Sequence, residues 1–404
     1  MHVSLVTIAR LRETLGGEEN FTLFLRAWLR EHGHDVTVVY RSLFGVIMEE
    51  KRIEEKPTVR FGVILSGPYL IFMLGMLFFS LAAAMRIIHL NKNRKITLIH
   101  AQDTGYGGLA AVVAAKITDV PVVISSHGIR QVTLFNSLEG FLKPLELALE
   151  RGVDRFVCRG ANAIISVNKH TESYLKKHFI PLEKETATFV VPTGVNIKRY
   201  SENERTRQHM RRRLSFSGDE VVIGFVGRFS PEKNLLFLLE AFAVVTRRFP
   251  QARLLLVGAG PLQRRMEEFV KKIGLNDKVV FTGFRDDVNK LLAAVDIFAL
   301  PSLTEGCPTS LLEALAASRA VVASNIPSVR EIVEHGKDGL LINPHDIEEL
   351  QNALLLLCNA PELREKLGLR ARRKAALYDA NSVGLNVSNI YKSILTGANH
   401  RCGQ

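Results

Sequence analysis

The chain has 404 residues, 47% of them hydrophobic and 23% charged, with a formal net charge of +12. That length supports two domains with full cores, and the composition excludes a disordered or low-complexity chain. Residues 1–200 carry 25 Lys and Arg against 18 Asp and Glu, a net +7, which leaves +5 for the rest. The excess is therefore spread over both halves. This favours anionic ligands or an anionic membrane surface, and with no nucleic-acid module in view it argues against nucleic-acid binding.

Residues 3–8 read as a strand that runs into a loop containing Gly16-Gly17. A helix follows from Glu18 to about His32, with Phe21, Phe24, Leu25, Trp28 and Leu29 on one face, and then a strand from His34 to Tyr40. Strand, glycine loop, helix and strand make a βαβ unit, in which the glycines let backbone approach a ligand at the helix start. Taken alone, Gly16-Gly17 fits an ordinary turn equally well. The opening run MHVSLVTIAR has no charged leader, so it is read as this first strand and not as a signal peptide.

The run Phe61–Met85 is uncharged, and its part Pro68–Met85 is 18 residues long. As a helix that part spans about 27 Å, marginal against a hydrocarbon core of about 30 Å. A crossing would put the strands Asp35–Tyr40 and Ile96–His100 on opposite sides of a membrane, although both belong to one sheet. Segment 61–90 is therefore expected to dip into or lie on one leaflet, flanked by Arg60, Arg86, Lys92, Arg94 and Lys95. A long buried helix is the competing reading.

After strand Ile96–His100, Thr104-Gly105 opens a small-residue helix to about Lys116. Strand Val120–Ser126 stops at His127-Gly128, where open α/β sheets place ligands, although a loop histidine is more often structural. Helical segments from about Leu138 to Arg159 lead to strand Ala163–Val167 and a helix capped by Asn168. Strand Thr188–Val191 exits through the turn-rich Pro192-Thr193-Gly194-Val195-Asn196. The Arg-rich segment 201–218 reads as an interdomain connection.

A second alternating set begins with strand Val221–Val226, which runs into Gly227-Arg228-Phe229-Ser230-Pro231-Glu232-Lys233-Asn234 and a helix. Strand Arg253–Val257 gives Gly258-Ala259-Gly260-Pro261, and strand Val279–Thr282 gives Gly283 and a helix from Asp286 to Val295. Strand Ala320–Ser324, helix Val329–His335, a short strand Gly339–Ile342 and helices from Asp346 follow. Both halves are thus βα repeats with glycines after strands. The expected fold class is α/β, two Rossmann-like doubly wound domains facing a central cleft.

Within the second set, Leu300–Ala317 combines a strand end, the break Pro301-Ser302 and a helix expected to begin with Pro308 as its first residue. The Thr309 and Ser310 amides would then face an anion at the positive end of the helix. Glu313 sits among Leu311, Leu312, Ala314 and Leu315, so its carboxylate must reach solvent or be held for a purpose. From this stretch alone the two readings weigh equally.

These residues resemble the glycosyltransferases of GT-B fold, in particular the large retaining family 4, over nearly the whole chain. Arg228 and Lys233 look like that family's cation pair for the donor diphosphate, and Glu305-x7-Glu313 like its E-x7-E element. Gly258-x-Gly260-Pro261, Thr282-Gly283 and Pro301-Ser302 fall in its order. In the first half, Gly16-Gly17, His100-Ala101-Gln102-Asp103 and Ser126-His127-Gly128 match its cleft loops, and Pro192–Asn196 matches its turn between domains. Any one of these is common; the ordered set is specific. Cys307-Pro308 replaces a commoner Phe-Gly, and Ser318-Arg319-Ala320 stands where Gly-x-Pro is frequent.

The resemblance implies a retaining transfer of sugar from a nucleoside-diphosphate donor, UDP-, GDP- or ADP-linked, to a glycan or lipid-linked acceptor. It implies a donor site of Gly16, Gly17, Arg228, Lys233, Gly258, Phe284, Arg285, Glu305, Gly306, Cys307, Thr309, Ser310 and Glu313. Arg228 and Lys233 would stabilise the leaving diphosphate, Glu313 would accept from ribose hydroxyls, and Glu305 would hold hydroxyls of the sugar. His127 would contact the sugar near the anomeric carbon, with Asp103 on the acceptor side. His127, Arg228, Lys233 and Glu305 form the catalytic set. No D-x-D element occurs, so neither metal nor other cofactor is expected. The implied domains are 1–200 for acceptor, a 201–218 linker, 219–378 for donor, and a helix in 379–404 crossing back. Cys158, Cys307, Cys358 and Cys402 are far apart without metal-ligand spacing, which fits a reduced cytoplasmic setting, peripheral to the membrane. A phosphorylase, a nucleotide-sugar epimerase and a non-catalytic sugar-nucleotide binder share this fold and are the alternatives. An integral membrane protein with a true span at 63–85 is a further one.

Overall fold

The computed structural model describes residues 1–7, 17–42, 45–49, 69–129, 143–180, 186–200 and 204–397. They divide into two compact units, Met1–Pro192 with Val383–Gln404, and Thr193–Ser382.

The first unit is built on β1 (His2–Thr7), every residue of which is buried. Strands covered on both faces read as continuous apolar runs, and parallel crossovers supply the covering helices. The elements that follow are α1 (Gly17–Glu31), β2 (Asp35–Ser42), β3 (Gly45–Glu49), α2 (Tyr69–Arg94), β4 (Leu98–Ala101), α3 (Tyr106–Thr118) and β5 (Val122–Ser126). Then come α4 (Lys143–Gly160), β6 (Ala163–Ser166), α5 (Lys169–His178) and β7 (Ala187–Val190). The sheet order is β3-β2-β1-β4-β5-β6-β7. Leu5 stands opposite Val38 on one side and His100 on the other. All pairs are parallel except β2 with β3, an antiparallel edge strand that the sequence reading did not anticipate.

The α2 helix, from Leu74 on, is long and apolar enough to cross a membrane by length and composition. Its Met76, Phe79, Ala83, Ala84, Ile87 and Leu90 nevertheless lie buried in the core that includes α3. The opposite face is exposed, so the helix is neither wholly buried nor free on all sides. Residues 61–68 of the apolar segment lie outside the described residues.

The second unit contains α6 (Glu204–Arg213), β8 (Val221–Val226), α7 (Leu235–Arg248), β9 (Ala252–Val257), α8 (Gln263–Lys272), β10 (Val279–Gly283) and α9 (Val288–Ala294). It continues with β11 (Ile297–Leu300), α10 (Thr309–Ala316), β12 (Ala320–Ser324), α11 (Pro327–Arg330), β13 (Leu340–Ile342), α12 (Ile347–Asn359) and α13 (Pro361–Ala375). Its six strands are all parallel, in the order β10-β9-β8-β11-β12-β13.

Three local readings change. The Arg-rich stretch contains α6, whose Arg207 and Arg211 bind the two oxygens of Asp296 at 2.6 and 3.1 Å, while Asp296 also accepts from the Val222 amide at 2.7 Å. Arginine stems cover apolar surface and their forks satisfy a carboxylate at a strand start, which composition alone cannot distinguish from a solvated connection. Helix α11 is shorter than the expected Val329–His335. The buried Asp338 carboxylate takes the Glu334 amide at 2.7 Å and turns the chain toward β13. Pro308 has φ −70° and ψ 105°, extended values that make it the cap preceding α10, not the first helical residue.

A last helix, α14 (Ala380–Leu395), completes the core of the first unit with Val383, Val387, Ile390 and Tyr391 beside Leu25, Trp28 and Leu98. Gly384 is needed there: a Cβ would overlap the Trp28 indole. The Tyr391 hydroxyl meets His100 Nδ1 at 2.5 Å, and His100 Nε2 meets Ser125 Oγ at 2.8 Å. Burial pushes His100 down to a pKa of about 3, so the ring is neutral and joins donor and acceptor in one buried chain.

Candidate active site

In each sheet the strand order reverses once, between β1 and β4 in the first unit and between β8 and β11 in the second. Loops leaving neighbouring strands diverge there, and the crevice at the carboxyl ends is where open α/β sheets take ligands.

At the second unit's switch point two loops are joined by one ion pair. Lys233, after β8, donates to Glu305 Oε1, after β11, at 2.6 Å, and Ser302 Oγ donates to the same oxygen at 2.7 Å. The Glu305 side chain is 7% exposed and that of Lys233 20%. A lysine carries three N–H donors, so two remain for another anion. Arg228, by contrast, is 68% exposed and lies 3.6 Å from Glu232, a pair of the weak, solvent-screened kind. The expected cations thus share one loop in different states, one anchored and one free to swing.

The loops meet closely because one glycine allows it. Gly258, after β9, has φ +134°, and a Cβ there would overlap the Gly227 carbonyl oxygen. Gly258 therefore sets how near the first two loops approach, a structural role that stands beside its expected donor contact.

Past Glu305, Cys307 is packed against the core and hydrogen-bonded by Thr193, and burial pushes its thiol up to about 11. Its thiol is therefore protonated near neutral pH. With Pro308 capping α10, the Leu311 and Leu312 amides bond to its carbonyl at 3.1 and 3.3 Å. The Thr309 and Ser310 amides stay ahead of the helical ladder, as expected of an anion-binding helix start. One turn on, Glu313 is half-buried, and desolvation raises its pKa. Its Oε1 accepts the Tyr200 hydroxyl at 2.6 Å.

Tyr200 was not among the expected residues. It ends the short 3₁₀ turn Ile197–Tyr200, four residues after the Pro192–Asn196 turn, and nothing local marks it. The same turn ties down the loop after β10: Arg199 Nη2 donates to the Asp286 carbonyl at 2.9 Å and Asn289 Nδ2 donates to the Arg199 carbonyl at 3.2 Å. In that loop Arg285 forks onto Asp287 with two 2.7 Å bonds, leaving Phe284 exposed beside it.

The first unit's switch point gathers a separate group. His127 follows β5 and Gln102 follows β4; His127 Nε2 lies 3.2 Å from Gln102 Oε1, and the Phe21 ring packs edge-on at 5.0 Å. Since Gln102 Oε1 only accepts, Nε2 carries the hydrogen, and burial pushes the ring's pKa down to about 4. Asp103 Oδ1 accepts the Gly107 amide at 3.1 Å, so it also caps α3. Glu18, half-buried at the start of α1, accepts from Thr7 Oγ1, and burial and the Asp103 charge hold its pKa well above the usual range. Glu18 was not among the expected site residues, and Gln102 entered only as part of the His100–Asp103 loop. Gly17 begins α1, and Gly16 lies outside the described residues.

The family model described as Glycosyltransferase Family 4 matches residues 15–199, and that described as Glycosyl transferases group 1 matches residues 206–374. Between them they cover most of the chain. It belongs to the group 1 glycosyltransferases. The transferase is 26% identical over 306 residues to the alpha-D-kanosaminyltransferase of Streptomyces kanamyceticus, covering 73% of this chain and 77% of that one. It is 28% identical over 269 residues to the UDP-Gal:alpha-D-GlcNAc-diphosphoundecaprenol alpha-1,3-galactosyltransferase of Escherichia coli, covering 65% and 67%. Its fold matches the sucrose-phosphate synthase of Thermosynechococcus elongatus with a TM-score of 0.78 at 22% identity, over 98% and 100% of the two chains. The fold is thus the GT-B type.

Proposed function

We propose that this glycosyltransferase moves a sugar with retention of anomeric configuration, without a metal ion, from a nucleoside-diphosphate sugar to a lipid-linked or cell-envelope glycan. The observation that carries the donor half is the Lys233–Glu305 pair at the second switch point, with the start of α10 beside it. Breaking the glycosidic bond builds negative charge on the departing diphosphate. Lys233, Arg228 and the Thr309 and Ser310 amides supply fixed and mobile positive charge for it, a function that a divalent ion performs elsewhere. Glu313 accepts from the ribose hydroxyls, and the backbone at Phe284 and Arg285 meets the base. Glu305, held by Lys233 and Ser302, presents Oε2 to hydroxyls of the sugar.

In the first unit, neutral His127 is the group proposed to contact the sugar near the anomeric carbon, and Asp103 with its neighbours receives the acceptor. Retention follows from acceptor attack on the face that the diphosphate leaves, and no protein nucleophile is required. The lipid-linked acceptor is supported by the acceptor in the E. coli relative's name and by the exposed apolar face of α2. The enzyme is placed at the cytoplasmic face of a membrane.

The test is thermal stabilisation by UDP-, GDP- and ADP-sugars, with chelator, for the wild type and Glu313→Ala. A shift with one nucleotide class, lost in the variant, supports the donor site. Abolition by chelator would refute the metal-free reading, and no shift with any donor would refute the donor site. Proton NMR of the product anomer then decides retention.

A further inference from the structure

Among the described residues, one face of α2 has no partner in the first unit. Leu74, Leu77, Phe78, Leu81 and Met85 are 58, 41, 68, 60 and 57% exposed. They recur at i, i+3, i+4, i+7 and i+11, a single stripe about 100° wide running about 17 Å along the helix. Scattered exposed hydrophobics need no explanation, but five large ones in a continuous stripe do. The opposite face is committed to the protein core, and Ser80 Oγ pins it by donating to the Tyr106 carbonyl at 2.8 Å. The helix therefore has one side in protein and one side available.

Charge identifies what the free side meets. Between Glu55 and Asp103 the chain contains no Asp or Glu, while Lys56, Arg60, Arg86, Lys92, Arg94 and Lys95 lie within it. Arg86, Lys92, Arg94 and Lys95 are exposed, and Lys92 continues the stripe itself, seven residues past Met85. Apolar side chains backed by cations match the interface of an anionic bilayer, where the stripe enters the acyl boundary and the cations meet phosphate headgroups.

Position gives the contact a purpose. Helices α2 and α3 each lead into a parallel strand, so they run side by side in the same direction. Ser80, twelfth in α2, touches Tyr106, first in α3, so α2 starts about 16 Å beyond the start of α3. Asp103 is three residues before Tyr106. The stripe thus lies roughly one helix diameter, about 10 Å, from the loop assigned to the acceptor.

We propose that the Leu74–Met85 stripe of α2 seats this enzyme in the plane of an anionic lipid surface and presents the Asp103 loop to acceptors anchored there. The delivery half rests on the transferase reading; membrane seating stands on α2 alone.

The experiment is flotation of the full chain with phosphatidylcholine vesicles, with and without phosphatidylglycerol, at low and high salt. Compared are the wild type, Phe78→Asn/Leu81→Asn and Lys92→Ser/Lys95→Ser. Wild type is expected to float with anionic vesicles, less at high salt. The apolar double variant should lose about tenfold or more of its partition, and the lysine variant should bind weakly but show less salt dependence. Both substitutions are on the surface, so circular dichroism and donor-induced stabilisation should match wild type. Failure of wild type to float, or undiminished flotation of the apolar variant, overturns the proposal. So does a wild-type dimer that the apolar variant abolishes, since a second copy would then cover the stripe. Flotation with no donor shift would sink the transferase reading and leave the seating intact.

Discussion

The Tyr200 hydroxyl donates to Glu313 Oε1 at 2.6 Å, inside an environment that otherwise favours the protonated acid. Desolvation raises the Glu313 pKa, and the Tyr200 bond is the largest opposing influence. Burial, and after it the neighbouring carboxylate, pushes the Tyr200 phenol up, so the tyrosine stays a donor at all working pH values. Its ring is packed in the core, and Arg372 donates to its carbonyl at 3.3 Å, so it is fixed without the hydroxyl.

Tyr200→Phe should therefore shift ionisation without disturbing the fold. Because Glu313 must be ionised to accept from ribose, donor affinity falls as pH drops through its raised pKa. Removing the stabilising donor raises that pKa further and moves the acid limb of 1/KM to higher pH. At saturating donor kcat should be unchanged. A charge-assisted bond of this kind contributes about 1.5–3 kcal/mol, or roughly ten- to a hundredfold in KM on the acid side. Superimposable KM profiles for the two enzymes would remove Tyr200 from the donor site.

Lys233 and Arg228 should separate cleanly. Lys233→Met leaves the buried Glu305 without its cation, so it should lower both kcat, by about a hundredfold or more, and stability, by about 3 kcal/mol. Arg228→Met breaks only an exposed pair and should leave urea midpoints unchanged while lowering kcat. Denaturation curves alongside initial rates make the comparison. Equal stability of both variants would contradict the anchoring role of Lys233.

Gly258→Ala adds a methyl group where the Gly227 carbonyl already sits, at a φ that L-residues avoid. Loops after β8 and β9 must separate, so a loss of about 2–4 kcal/mol is expected, with donor stabilisation weakened as well. Chemical denaturation measures the first and thermal shift the second.

Glu18 gives a pH signature. Its folded pKa is raised, so its contribution favours the fold below the ordinary glutamate pKa and is lost as pH rises through the folded value. Glu18→Gln cannot ionise. Its melting temperature should equal wild type in acid and exceed it progressively toward neutral pH. A constant offset across pH would instead assign the effect to packing.

Much of this enzyme is written locally. Apolar strands ending in glycine, the Gly227–Asn234 turn, and a helix start with Glu305 and Glu313 eight positions apart are signals carried within a few residues of each other. That is why the α/β repeats could be read directly, while Arg228, Lys233, Glu305 and Glu313 were expected as a set through the family resemblance. Arg207 and Arg211 show the limit, since an arginine bound to Asp296 and one in solvent have the same spelling.

The sequence by itself determined the repeating βα units, the candidate groups and the family they resemble, because backbone preference and hydrophobic period are short-range. Tertiary structure decided which groups meet. Lys233 finds Glu305 across 72 residues and Tyr200 finds Glu313 across 113, because strand order places their loops together at the carboxyl edge. It also decided which face of α2 is spent on the core, since an apolar helix turns inward only the side that a neighbour covers.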